Sequence, residues 1–314
     1  MKNSVLVGWT KIWSAFFVPD NLRENAYPKS RPIAYREAIL DLTKQTCSAV
    51  CEPDTCDTFQ FMAKTLKMKV LHPGGLDATK LLAEKCKISP EFTILDAGCG
   101  SGRSDIFLAK QYGCRIVGID IDPGTLLKAQ AEAISKHLGD RVAFRVADAN
   151  DLSFGDQTFD GAIFQAALIF TNKAKALHKV SQMIRPGGFI GVIELAWKKH
   201  PTERIVTRVR ETLCSAAINT ETHEDWIRLL RQFGFEVVYS DLLDHKFDFS
   251  GMLRNEGLRS SLRIALKCIS DKSVKRKMAQ ITSLFKESGE YLGYGIYVAR
   301  KTQFDRSPVD HPNS

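Results

Sequence analysis

The sequence predicts a doubly wound α/β fold, a mostly parallel sheet of seven strands with helices on both faces. Three observations carry that expectation. From residue 92 short apolar runs alternate with helical patterns, the first run ends in an acid followed by a glycine-rich turn, and the second run also ends in an aspartate. Such alternation implies parallel strands joined by helical crossovers that cover both faces of the sheet.

Each strand is legible as a short apolar run. Thr93–Ala97, Arg115–Ile119, Val142–Val146, Phe159–Phe164 and Phe189–Leu195 are the first five, Phe235–Ser240 the sixth and Tyr291–Ala299 the seventh. Thr222-His-Glu-Asp225 resembles a capping box that opens a helix through Gln232, and Gly234 stops it. Leu258, Leu262, Leu266 and Ile269 mark another helix, and Val274–Phe285 continues in helical style. Ahead of the sheet, Val5, Leu6, Trp9, Ile12, Trp13, Phe16 and Phe17 recur at helical spacing. Helical patterns return at 33–46, 57–68 and 77–86, with a turn at His72-Pro73-Gly74-Gly75. The expected division is therefore an N-terminal helical lid over 1–88 and a core over 89–301, with helical insertions at 198–221 and 246–288. A polar, disordered tail over 302–314 completes it. The polar face of the first helix holds only Lys11 as a charge, so it suits a lid packed on the protein better than a membrane surface.

Composition is that of a globular protein, with 44% hydrophobic and 25% charged residues in 314. The net charge of +8 is scattered, apart from Lys272, Lys275, Arg276 and Lys277. That pattern favours solubility over a nucleic-acid partner. No run is long and apolar enough for a transmembrane helix, and no small-residue cleavage site follows the apolar start. A cytoplasmic protein with its eight cysteines reduced is expected.

The chemistry concentrates in three places. In Ile94-Leu95-Asp96-Ala97-Gly98-Cys99-Gly100-Ser101-Gly102, a buried strand delivers an acid and then glycines that let a ligand approach the backbone. A dinucleotide fingerprint would place its third glycine where Arg103 stands. A carboxylate at Asp96 also suits an ammonium group better than a pyrophosphate, which tilts the cofactor from NAD toward S-adenosylmethionine (SAM). Asp120, ending the second strand, can accept both hydroxyl protons of a ribose, or can serve as a turn residue. Asp148 can accept from an adenine amino group beside the backbone of Ala149, or can cap the helix after it.

Together these residues resemble the class I SAM-dependent methyltransferases, closely over about residues 90–195. Asp151-Leu-Ser-Phe154 with Thr158-Phe159-Asp160 resembles the family's segment before the fourth strand, and Ile184-Arg-Pro-Gly-Gly188 its turn before the fifth. The resemblance implies a Rossmann-like methyltransferase fold. It also implies that Asp96, Gly98, Gly100 and Gly102 cradle the methionine and ribose parts of SAM. Asp120 would bind the ribose, Ile121 would pack on the adenine, Asp148 and Ala149 would read its edge, and Gln165 would complete the cofactor-facing set. The detail is closest to the branch acting on quinones, sterols, amines and arsenicals. Phe164-Gln165-Ala166-Ala167 lacks the turn used by adenine-N6 methyltransferases and the acids used by arginine and catechol-type enzymes. The resemblance therefore implies a small-molecule acceptor, with no nucleic acid and no metal.

The catalytic base is not fixed by the sequence. His72 in its turn, Glu194 at the end of the fifth strand and Tyr294 on the last strand are the candidates, with Tyr291, Tyr297 and His178 behind them. Cys47, Cys51 and Cys56 lie within ten residues and could serve a metalloid- or thiol-handling methyltransferase, although their spacing matches no zinc site. A non-catalytic SAM-binding protein would keep the same aspartates.

Overall fold

The computed structural model describes Pro53 and residues 56–214, 220–245 and 249–302. The aromatic segment at 4–17, the helical pattern at 33–46, Cys47, Cys51 and the tail beyond Thr302 lie outside the described residues.

The strands are β1 (Thr93–Ala97), β2 (Arg115–Asp120), β3 (Val142–Val146), β4 (Phe159–Gln165), β5 (Ile184–Trp197), β6 (Glu221–Thr222), β7 (Phe235–Leu243) and β8 (Leu292–Lys301). The helices are α1 (Gly75–Cys86), α2 (Arg103–Tyr112), α3 (Pro123–Ser135), α4 (Lys173–Met183), α5 (Glu203–Thr212), α6 (His223–Gln232), α7 (Phe249–Glu256), α8 (Leu258–Ser270) and α9 (Lys272–Ser288). One sheet runs in the order β3-β2-β1-β4-β5-β8-β7, with β6 beside β5. The seven expected strands are present. The eighth, β6, is only two residues long, where Glu221 and Thr222 pair with Ala196 and Trp197 just before α6 begins.

Local chemistry explains the helix ends. Asp122 accepts from the N–H groups of Gly124 and Thr125, and Pro123 opens α3 with its φ already set. Asn172 caps α4. Thr222 caps α6 by accepting from the N–H of Asp225, as the capping-box pattern predicts. Residues 57–68 form less regular helix than expected, with one α turn at Thr58–Gln60 followed by a π-helical stretch at Phe61–Thr65. The N–H of Leu66 reaches back five residues to the carbonyl of Phe61.

The sheet is buried on both faces, which is why its strands read as continuous apolar runs. Leu95, Phe164 and Val192 face α4 and α6 through Leu177, Val180, Trp226 and Leu230. Ile94, Ile116, Ile163 and Ile193 face α1 and α2 through Leu82, Cys86, Ile106 and Leu108. The parallel strands β1, β4 and β5 end at one edge. Because β8 runs antiparallel to both β5 and β7, its first residues and the last residues of β7 meet at that same edge. The site is built there.

A second, smaller core belongs to the cap. Cys56, Phe61 and Leu66 pack with Ile264, Val274 and Ile281 among Met62, Met68, Met252 and Met278. The pattern Leu258, Leu262, Leu266 and Ile269 does mark α8, but on its outer face: Leu258 is 72% and Ile269 79% exposed, while Ser261 and Ile264 point inward. Of the described cysteines, Cys86, Cys99, Cys114, Cys214 and Cys268 form no disulfide, whereas Cys56 is disulfide-bonded. That corrects the expectation of eight reduced thiols.

Candidate active site

The glycine loop follows directly from β1. Gly98, Gly100 and Gly102 all take positive φ, at 82°, 52° and 67°. The N–H groups of Gly98 and Cys99 both donate to the carbonyl of Ile119, at 2.8 and 2.9 Å, which folds the loop back on β2. A Cβ on Gly98 would lie 2.5 Å from that of Ala167, so the close approach demands glycine. A Cβ on Gly100 would meet nothing within 4 Å, so the loop opens there into space that a ligand can fill.

Asp120 ties the end of β2 to this loop. Its Oδ2 accepts from the N–H of Gly100 at 2.9 Å and its Oδ1 from that of Asp122 at 3.0 Å. Ile121 beside it is 71% exposed, an apolar side chain open to receive a flat apolar face. Asp148 is exposed, and its Oδ1 accepts from the backbone and side-chain N–H groups of Asn150. Ala149 is buried in the core.

Beneath the loop lies a buried polar network. Asp96 is 1% exposed, its Oδ2 accepts from Gln165 Nε2 at 3.4 Å, and its Oδ1 has no partner. Burial pushes its pKa up to about 7. Thr79 of α1 donates to Gln165 Oε1 at 2.7 Å and lies 3.3 Å from His72 Nε2. His72 Nδ1 donates to the carbonyl of Pro73, so Nε2 is the acceptor for the Ser104 hydroxyl at 3.1 Å. Desolvation holds His72 down at about 4, so the imidazole is neutral. The structure therefore brings His72, Gln165 and Asp96 into one network through Thr79, with Ser104 joined to it at His72. Neither Thr79 nor Ser104 carries a sequence signal beyond its polarity.

Glu194 is fully buried at the end of β5. Its Oε1 accepts from the N–H of Leu168 at 2.6 Å, and the N–H groups of Ala167 and Ile169 also point to it. It thereby holds the loop after β4, while its Oε2 has no partner. Desolvation pushes Glu194 up to about 7. Tyr294 pairs with Leu195 and Leu243 at the same edge and packs over the start of α1, where a Cβ on Gly74 would lie 2.6 Å from its hydroxyl. Sequence reasoning missed its neighbour, His245, which follows β7. The two rings lie 5.4 Å apart, and Phe285 of the cap lies 4.6 Å from the imidazole. His245 Nε2 is buried without a hydrogen-bond partner, and burial lowers its pKa to about 4. Tyr297, three residues on, faces the opposite side of the sheet beside Trp226.

Open space at Gly100, an unpartnered buried oxygen on Asp96 and the carboxylate of Asp120 fit a ligand with an ammonium group and a ribose diol. SAM has both. Among the described residues no group of three or more His, Cys, Asp or Glu side chains is arranged to hold a metal ion, and no helix is long and apolar enough to cross a membrane.

Comparison with known proteins agrees. A family model described as a methyltransferase domain matches residues 94–188. The O-methyltransferase cnsE of Penicillium expansum is 30% identical over 217 residues, covering 66% of this chain and 71% of the relative. The uncharacterized methyltransferase YodH of Bacillus subtilis is 26% identical, covering 73% of this chain and 93% of the relative. A SAM-dependent methyltransferase from Geobacter sulfurreducens, solved with S-adenosylhomocysteine, superposes with a TM-score of 0.57 at 23% identity over 77% of this chain and 98% of that one. At that identity the likeness shows the fold. With a glycine loop that fits the cofactor and relatives that align along most of both chains, the protein belongs to the class I SAM-dependent methyltransferases and is an enzyme that methylates small-molecule acceptors.

Proposed function

We propose that the acceptor is a hydroxyl group on a small, largely apolar molecule, seated between the cap and the edge formed by the ends of β4, β5, β7 and β8. The observation that carries this reading is the pair Tyr294 and His245. Both are polar, both lie at the edge where such sheets bind ligands, their rings are 5.4 Å apart, and His245 Nε2 is buried without a hydrogen-bond partner among the described residues. The His245 ring also lies against Phe285 of the cap, an aromatic neighbour suited to an apolar acceptor. An uncharged imidazole accepts a hydrogen bond from a hydroxyl, and the Tyr294 hydroxyl can donate to the acceptor oxygen. The Penicillium relative is an O-methyltransferase by name, which supports oxygen as the acceptor atom.

In this reading Asp96, Gly98, Gly100, Gly102, Asp120, Ile121, Asp148, Ala149 and Gln165 hold SAM. When bound, SAM supplies a methyl group on a positively charged sulfur. The remaining work of the chain is to align the acceptor with that group and to exclude water. His72 and Glu194 are committed to Ser104 and to the loop after β4. Their roles are to position the start of α1 and that loop, which leaves Tyr294 and His245 nearest the acceptor. Neither the cysteine-based alternative nor a non-catalytic role gains support, since Cys56 is already bonded.

The test is a panel of hydroxylated, amino and thiol acceptors, read as formation of S-adenosylhomocysteine. Turnover with phenols or other hydroxyls is expected. Tyr294→Phe should lower kcat about 10- to 100-fold while leaving SAM affinity within about twofold. Turnover confined to amines or thiols would remove the oxygen reading.

A further inference from the structure

We propose that Asp105 is a positioning residue for the cofactor's ammonium group: it shares a proton with Asp96 and so leaves one oxygen of Asp96 as an uncommitted acceptor beneath the glycine loop. The proposal rests on the reading of Asp96 as the carboxylate that meets that ammonium.

Asp105 is the third residue of α2. Acids in the first turn of a helix ordinarily sit at the surface and accept from the free N–H groups there. Asp105 is instead fully buried, and apart from its own backbone N–H no amide or hydroxyl reaches its carboxyl. Its hydrogen-bonded neighbour is the side chain of Asp96, which is equally buried and receives only the long contact from Gln165. Two carboxyls in contact, with almost no outside donor and no water-facing surface, cannot both be ionised. One proton held between them forms a short, charge-assisted O–H···O⁻ bond and satisfies both groups at once.

The surroundings decide which acid keeps the proton. Desolvation raises both, Asp96 to about 7 and Asp105 well above the usual carboxylate range. Asp96 accepts from Gln165 Nε2 while no other side chain donates to Asp105, so the negative charge is better held on Asp96 and Asp105 is the donor. The groups that act on the pair are Asp120 of β2, the thiol of Cys99 in the glycine loop and Gln165 of β4. Cys114 at the foot of β2 also feels Asp105. Both thiols are held above their usual values and stay uncharged. His72, linked through Thr79, is neutral. None of these groups is a cation, so a ligand's single positive charge is what the pair lacks. Cofactor binding then completes the ionisation of Asp96 and releases part of a proton near neutral pH.

The experiment is calorimetric titration with SAM from about pH 5.5 to about 8.5, alongside thermal unfolding of each protein without ligand. The proteins are wild type, Asp105→Asn, Asp105→Leu and Asp96→Asn. Wild-type affinity, taken relative to Asp96→Asn at each pH, should rise about tenfold between about pH 6 and 8. At pH 7, titrations in two buffers of different ionisation heat should show release of about half a proton. Asp105→Asn keeps a donor and should stay within about threefold of wild type with the same midpoint. Asp105→Leu keeps the volume without the donor, so its midpoint should move up by about one unit and its affinity at pH 7 fall about tenfold. The cofactor's own amino group titrates identically in all four proteins and cancels in the comparison. A wild-type protein that releases no proton overturns the proposal even if Asp105→Leu fails to fold. So does an Asp105→Leu profile equal to wild type, or a pH-independent loss shared by Asn and Leu. Asp96→Asn should bind weakly with a flat profile. If it binds as wild type does, the reading of Asp96 fails, and that result is distinct from failure at Asp105 alone.

Discussion

The glycine-loop edge of the sheet and the helical cap are held by different kinds of bond. At the loop the ties are short-range along the sheet and mostly backbone, from Gly98 and Cys99 to Ile119 and from Gly100 to Asp120. In the cap the ties are long side chains reaching distant carbonyls. Arg263 donates to Leu66 and Lys67, Lys267 to Thr65, and the buried Lys277 to Cys56. Glu256 returns the favour by accepting from the N–H groups of Lys69 and Val70. The methionine-lined cap core is also more tolerant of irregular packing than the sheet core. The glycine-loop edge is thus set by the local chain and the cap by contacts between segments about 200 residues apart.

The largest expected break in that contrast is Gly98→Val. The new side chain needs a positive φ that valine disfavours and begins 2.5 Å from Ala167. The strain alone costs about 1–3 kcal/mol, and the clash adds to it. Loss of SAM binding by about 100-fold or more, or loss of soluble protein, is the expected outcome. A cap substitution such as Ile264→Ala, by contrast, should leave SAM affinity within a few-fold. Titration of both variants with SAM tests the pair. Equal losses would show that the two regions do not act separately.

The contrast also explains what could be read in the chain. Asp96, the three glycines and Asp120 announce themselves because a tight backbone turn at a strand end admits few residue types. The strands were legible because burial on both faces of the central sheet leaves mostly apolar residues in them. Asp105 was not, since an acid in the first turn of a helix looks like an ordinary capping residue until its burial is known. His245 stood in no motif and acquires its place only when β7 and β8 pair. The α8 pattern gave the helix but not its orientation, because Leu258 and Ile269 form the outer face while the inner face is carried by Ser261 and Ile264. The two-residue β6 has no period to detect.

Second in size is the pH dependence of stability contributed by Glu194, which anchors the loop between the two regions. Its folded value of about 7 lies above the ordinary 4.5. Between those values the unfolded chain ionises the group while the folded chain keeps the proton. Its contribution is therefore full below about 4.5 and is lost as pH rises through about 7, by on the order of 3 kcal/mol. Glu194→Gln removes this titration. Chemical denaturation at a series of pH values should show wild type losing ground to the variant by about that amount as pH rises. Asp96 and Asp105 titrate in both proteins, so their shared share of the slope cancels. A constant difference across the range would mean that Glu194 is ionised at all these pH values, with its four backbone contacts outweighing its burial.

The smallest effect is expected where cap and core touch. Phe59, one residue into the turn that begins the cap, meets Phe170 edge-on with ring centroids 5.5 Å apart. Phe170 lies on the loop that Glu194 holds, so this contact is where an acceptor between the two regions would be felt. Phe59→Leu keeps an apolar side chain of similar reach but removes the aromatic geometry, worth about 0.5–1.5 kcal/mol. Acceptor KM should rise about two- to tenfold, with SAM affinity and global stability nearly unchanged. If SAM affinity falls as far as acceptor KM rises, Phe59 acts on the cofactor edge as well, and the two regions share one energetic unit. If neither moves, the acceptor does not pass under this contact and its seat lies nearer Tyr294 and His245.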